Sequence, residues 1–162
     1  MGAEAGSAAE LDPEIPAIDP GSESGGPTSS QARPFGESSE PADAGRPPLP
    51  VQAGLWAFAP NRDCQGGTAW WLEHAGGALL VDCPAFTAAN LAFLRARPPG
   101  QLLLTSREGH GRSRRFQEAL GWPVLVQEQE AYLLPGVKQL QTFGEELALS
   151  PDLRLLWTPG PT

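Results

Sequence analysis

The stretch Gln101-Leu102-Leu103-Leu104-Thr105 constrains the fold most. It is an uninterrupted aliphatic run of strand length, bounded by Pro98-Pro99 before it and a polar loop after it. A half-exposed strand alternates apolar and polar side chains, so a run without alternation implies a strand buried on both faces. Such a strand needs cover, and the flanking sequence offers helices. Thr87 can cap a helix that runs through Leu91 and Leu94 and stops at Pro98-Pro99. A second helix is predicted over 113–120, with Phe116, Ala119 and Leu120 at core-facing spacing and Gly121 and Pro123 closing it.

Strands are predicted before this run at 55–59, 69–73 and 78–81, the last two joined by an Ala75-Gly76-Gly77 hairpin loop. After it come a buried strand at 124–126, a short helix at 128–134 with Ala131, Leu134 and Tyr132 inward, and a last strand at 153–157. Gly144-Glu145-Glu146 reads as a loop. Strands first, then strands alternating with helices, predict an α/β fold of the α+β kind, a mixed sheet covered by helices. The last strand leaves a sheet edge open, which a protein partner or a homo-oligomer is expected to cover.

Residues 1–50 cannot take part in that core. They hold nine acidic side chains against two basic ones, Arg33 and Arg46, so all but one unit of the chain's net −8 lies there. Their large apolar side chains are few, and such a segment cannot offset a backbone ordering cost of ~1–2 kcal/mol per residue. An acidic, Pro/Gly/Ser-rich disordered tail is predicted over 1–50, with a partner-binding motif around 15–18 as the alternative. Pro47-Pro48-Leu49-Pro50 marks a stiff boundary to a domain over 51–162.

Cys64 and Cys83 are too few for a disulfide framework, and their spacing matches no zinc knuckle, so free thiols in a reducing compartment are expected. No basic, then apolar, secretory signal opens the chain. Gly6 stands where a myristoylation site needs Ser or Thr. No apolar run approaches the ~20 residues that span a bilayer. A soluble cytoplasmic protein without a membrane partner is the expectation.

Three landmarks occur in order. Gly66-Gly67-Thr68-Ala69-Trp70-Trp71-Leu72 leads to Leu79-Leu80-Val81-Asp82-Cys83-Pro84; then come Leu102-Leu103-Leu104-Thr105 and Leu155-Leu156-Trp157-Thr158-Pro159-Gly160. Together they resemble the metallo-β-lactamase fold: its opening hairpin with Asp at the turn, the strand leading to its metal loop, and the strand before a later metal histidine. The resemblance implies the N-terminal half of an αββα sandwich and metal-assisted hydrolysis.

The family's loop reads His-x-His-x-Asp-His, whereas this chain reads Thr105-Ser106-Arg107-Glu108-Gly109-His110-Gly111. Both leading histidines are gone, and Pro161 stands where the family places a later one. His110 and Glu108 are the remaining candidate metal ligands, and zinc or iron would need extra donors, since a zinc site takes three or four. Asp82 matches an aspartate that supports the turn. A hydrolase-like protein with a degraded metal site, weakly active or inactive, is therefore the leading expectation, as a degenerate relative or an N-terminal fragment.

The alternative is a non-catalytic module that holds an anionic ligand or protein through the Arg-rich loop 107–115. Arg107, Arg112, Arg114 and Arg115 surround a helix start, where anions are favoured. Arginines without interleaved aromatics argue against nucleic acid. His110 could also serve as a base for a Cys83 thiolate. His74 reads as structural or exposed, and the five tryptophans read as core.

Overall fold

The computed structural model describes residues 40–160. The tail expected over 1–50 lies outside the described residues as far as position 39, and so do the 15–18 segment and Pro161.

Seven strands form one sheet in chain order: β1 (Leu49–Gln52), β2 (Leu55–Ala57), β3 (Trp70–His74), β4 (Gly77–Val81), β5 (Gln101–Leu104), β6 (Val124–Gln127) and β7 (Leu140–Phe143). β1 to β4 are an antiparallel meander, and β4 to β7 run parallel. Parallel neighbours need crossovers. Helix α1 (Ala88–Arg95) joins β4 to β5, and α2 (Ser113–Leu120) joins β5 to β6. The Thr87 hydroxyl accepts the Asn90 N–H at 3.3 Å and starts α1, while Gly121 at φ +71° ends α2 in the left-handed conformation.

Strand alternation divides the core. Leu80, Leu102, Leu104, Val124 and Val126 meet Leu91, Leu94 and Phe116 of the helices on one face. Leu79, Leu103 and Leu125 point to the other face, where they meet Leu147, Leu149, Leu153 and Leu155. Those four leucines belong to an antiparallel hairpin, β8 (Glu146–Ser150) and β9 (Leu153–Leu156). His74 Nδ1 and the Ser150 hydroxyl, 3.1 Å apart, join β3 to this hairpin. The aliphatic run of β5 is thus buried on both faces, as its sequence requires, by helices on one side and a hairpin on the other. Each leucine so enclosed contributes about 1.5–3 kcal/mol.

Several expectations are corrected. The ordered domain begins before residue 51: Glu40 pairs with Arg95 at 2.8 Å, the Asp43 and Ala44 carbonyls accept the N–H groups of Ala88 and Ala89, and Pro48 is buried. The last predicted strand does not extend the main sheet but pairs with β8, and Glu146, expected in a loop, opens that partner strand. β7 was not expected at all, because Leu140-Gln141-Thr142-Phe143 carries polar residues and becomes a strand only by pairing with β6. The predicted helix at 128–134 is a 3-10 turn, Glu128–Leu133, with Tyr132 74% exposed rather than inward. Of the tryptophans, Trp71 and Trp122 fill the core with ring centres 5.6 Å apart, whereas Trp70 is exposed.

Candidate functional site

Because β5, β6 and β7 run parallel, their C-terminal ends and the loops after them lie at one edge of the domain. In open sheets of this kind, ligands bind outside the carboxyl ends of the strands. A crevice of about 730 Å³ opens there, between the β5 end and its loop (Thr105 to Glu108), Gln127 at the end of β6 and Glu130 after it, Phe143 of β7, and the β9 extension through Trp157 and Thr158. Its floor is apolar (Leu103, Phe143, Leu155), and its rim carries Arg107, Glu108, Glu130 and Arg154.

The loop on the crevice wall is held from beneath by Asp82. After β4 the chain turns with Asp82 at φ +57°, a conformation that a short polar side chain tolerates better than most. Its carboxylate then accepts the Thr105 N–H at 2.8 Å and the Thr105 hydroxyl at 2.7 Å. The Cys83 N–H donates to the Gly109 carbonyl at 3.0 Å. Gly109 is buried against the Asp82 side chain so closely that a β-carbon there would overlap the carboxylate. The segment Arg107–His110 closes into a 3-10 turn on this support. Asp82 thus has the supporting role expected of it.

His110 is half-buried, and its Nε2 is enclosed without a hydrogen-bond partner. Burial lowers the imidazole from the ordinary histidine value, against the opposing pull of Glu130, Asp82 and Glu108. Glu130 Oε2 is likewise enclosed and unpartnered. Glu108 is exposed at the crevice rim. The nearby donors are thus the His110 imidazole, the exposed Glu108 carboxylate, Glu130, which also faces Arg107, and an aspartate whose two oxygens hold Thr105. Among the described residues, no group of three or more His, Cys, Asp or Glu side chains is placed to hold a metal ion. The described residues by themselves do not supply the three or four converging donors of the zinc or iron centre that the resemblance implies.

The four arginines do not converge. Arg107 faces Glu130 at 3.7 Å, Arg112 pairs with Asp63 at 2.8 Å, and Arg114 pairs with Glu118 one helical turn on at 3.0 Å. Arg115 stacks over the Phe86 ring at 4.5 Å. Of the four, Arg107 lines the crevice.

Sequence reasoning missed Gln127, Glu130, Arg154 and Trp157 as crevice residues. Strand ends carry no local signal, and only the parallel alignment of β5 to β7 and the return of the hairpin bring them together. It also missed that Cys64 and Cys83, far apart in sequence, are neighbours. The Cys64 thiol donates to the Cys83 carbonyl at 3.1 Å, and Asn61 Nδ2 donates to the same oxygen at 3.1 Å. Both thiols are raised by burial, Cys83 the further, and the nearby Asp82 adds to the effect, so neither is a ready nucleophile at neutral pH.

No family model matches the chain, and no curated protein matches it. Among the described residues no helix is long and apolar enough to cross a membrane.

Proposed function

We propose that this chain is a hydrolase-like protein of the metallo-β-lactamase fold whose metal loop has become a structural element, and that its crevice binds a ligand without metal-assisted turnover. One observation carries the reading. The loop after β5, where the resemblance requires metal ligands, instead packs Gly109 onto Asp82 and engages that carboxylate with Thr105. A carboxylate so engaged orients the loop. An apolar floor with a polar rim suits a small organic molecule with a polar end. Binding through the whole arginine loop is less well supported, because Arg112, Arg114 and Arg115 turn to Asp63, Glu118 and Phe86.

A cytoplasmic setting accords with two free buried thiols. A protein partner or second copy would cover the outer edge of β9, where Leu156 is 62% exposed. The test is purification from zinc- and iron-supplemented culture, followed by elemental analysis, ultracentrifugation, and assay against ester, phosphodiester and lactam substrates. Substoichiometric metal and no metal-dependent turnover are expected. One tightly held metal per chain with turnover that a chelator abolishes would overturn the reading.

A further inference from the structure

Two thiols that nothing in the crevice uses lie together beneath its loop. Cys64 ends the 3-10 turn Arg62–Cys64 between β2 and β3, and Cys83 follows β4. Both are core residues, 4% and 0% exposed. The Cys64 sulfur reaches across to the Cys83 backbone, 3.1 Å from its carbonyl oxygen. Between them stands Gly111, packed so closely against both that a side chain would not fit. The point its β-carbon would occupy lies 2.8 Å from the Cys64 sulfur and 2.9 Å from the Cys83 β-carbon. The sulfur of one cysteine and the β-carbon of the other are therefore no farther apart than those two lengths together. A disulfide requires β-carbons about 3.5–4.5 Å apart, so the bond forms from this proximity by rotation of the two side chains with a shift of the surface turn that carries Cys64.

Access is also present. A cavity of about 90 Å³ is lined by both cysteines together with Thr68, Ser106 and Glu108, which is room for a molecule the size of a peroxide. The segment after Cys64 lies at the surface: residues 65–67 are exposed, and a β-carbon on Gly66 would meet nothing within 4 Å.

We propose that Cys64 and Cys83 form a reversible intramolecular disulfide when the protein meets a peroxide. The Cys64 sulfur attacks one peroxide oxygen, the O–O bond breaks, and a water leaves, giving a sulfenic acid. The Cys83 sulfur then attacks the Cys64 sulfur, the S–O bond breaks, and a second water leaves. Two thiols lose two protons and two electrons, and the peroxide is reduced to two waters. The new bond ties the β2–β3 loop to the end of β4, next to the Asp82 support of the crevice loop. Because both thiols are enclosed, the reaction is slow at neutral pH and faster in mild alkali.

The experiment uses the full chain under native conditions. Protein is treated with hydrogen peroxide, unfolded, alkylated, and weighed intact, with peptide mapping and ultracentrifugation alongside. The expected product is a monomer lighter by two hydrogens, carrying no alkyl group, with a Cys64–Cys83 cross-linked peptide that dithiothreitol abolishes. Its melting temperature should lie above that of the reduced protein, because the link removes freedom from the unfolded chain. Cys64→Ser and Cys83→Ser each should keep one alkylatable thiol and give no such monomer. Two alkylatable thiols after treatment, a sulfinic acid at either position, cross-linking only between chains, or a lowered melting temperature in the cross-linked monomer would each overturn the proposal.

Discussion

Replacing Asp82 tests how the crevice loop is held, and the structure sets the size of the effect. The carboxylate accepts two hydrogen bonds from Thr105, at 2.8 Å from the N–H and 2.7 Å from the hydroxyl, at a junction where Asp82 is half-buried and Thr105 exposed. Bonds to a charged group contribute about 1.5–3 kcal/mol each when shielded, so at this half-wet site the pair should be worth about 2–3 kcal/mol in total. The backbone adds a second cost. Asp82 has φ +57°, and alanine in the left-handed region costs about 1–2 kcal/mol more than glycine, of which the greater freedom of unfolded glycine returns about half.

Asp82→Asn keeps the shape and one acceptor and should lose about 1 kcal/mol. Asp82→Gly should lose about 2–3 kcal/mol, and Asp82→Ala about 1 kcal/mol beyond that. Urea unfolding followed by the fluorescence of buried Trp71 and Trp122 reads these differences as midpoint shifts at constant slope. Thr105→Val should cost about 1 kcal/mol alone and much less on the Asp82→Ala background, because both changes remove the same bond. An alanine variant within about 0.5 kcal/mol of the parent, or more stable than the glycine variant, would refute the reasoning.

Gly109→Ala drives a β-carbon into the Asp82 carboxylate, which Thr105 prevents from moving aside, so it should destabilise the domain by about 1–3 kcal/mol. Gly144→Ala, whose β-carbon would meet nothing within 4 Å, is the control and should be near neutral in the same urea titration. Stability should also fall in alkali. Burial raises both thiols in the folded protein, so above about pH 8.5 the unfolded chain loses protons that the folded one keeps, and the unfolding free energy declines as pH rises. Cys83→Ala should flatten most of that decline; an equally steep slope in the variant would assign it to other groups.

The periodicity of apolar side chains alone was enough to predict the central elements. The unbroken run at Leu102 to Leu104 could only be a strand enclosed on both sides, and Thr87, Pro98 and Gly121 marked helix ends that the structure keeps. Those signals are local: a cap, a breaker and a stripe act within a few residues, so sequence carries them whole. The strand character of β7, by contrast, depends on pairing with β6. Leu140-Gln141-Thr142-Phe143 is too polar to declare itself, and it is a strand because β6 lies beside it with free backbone groups. The same limit governs the site. The order Ser106, Glu108, His110 was visible in the sequence, but that Gly109 rests on Asp82 was not. Nor was the meeting of Cys64 with Cys83, or of Glu130 with Trp157 across the crevice. Those neighbours are set by where parallel strands end and where a hairpin folds back, which is decided by the burial of both sheet faces at once and by no short stretch of sequence.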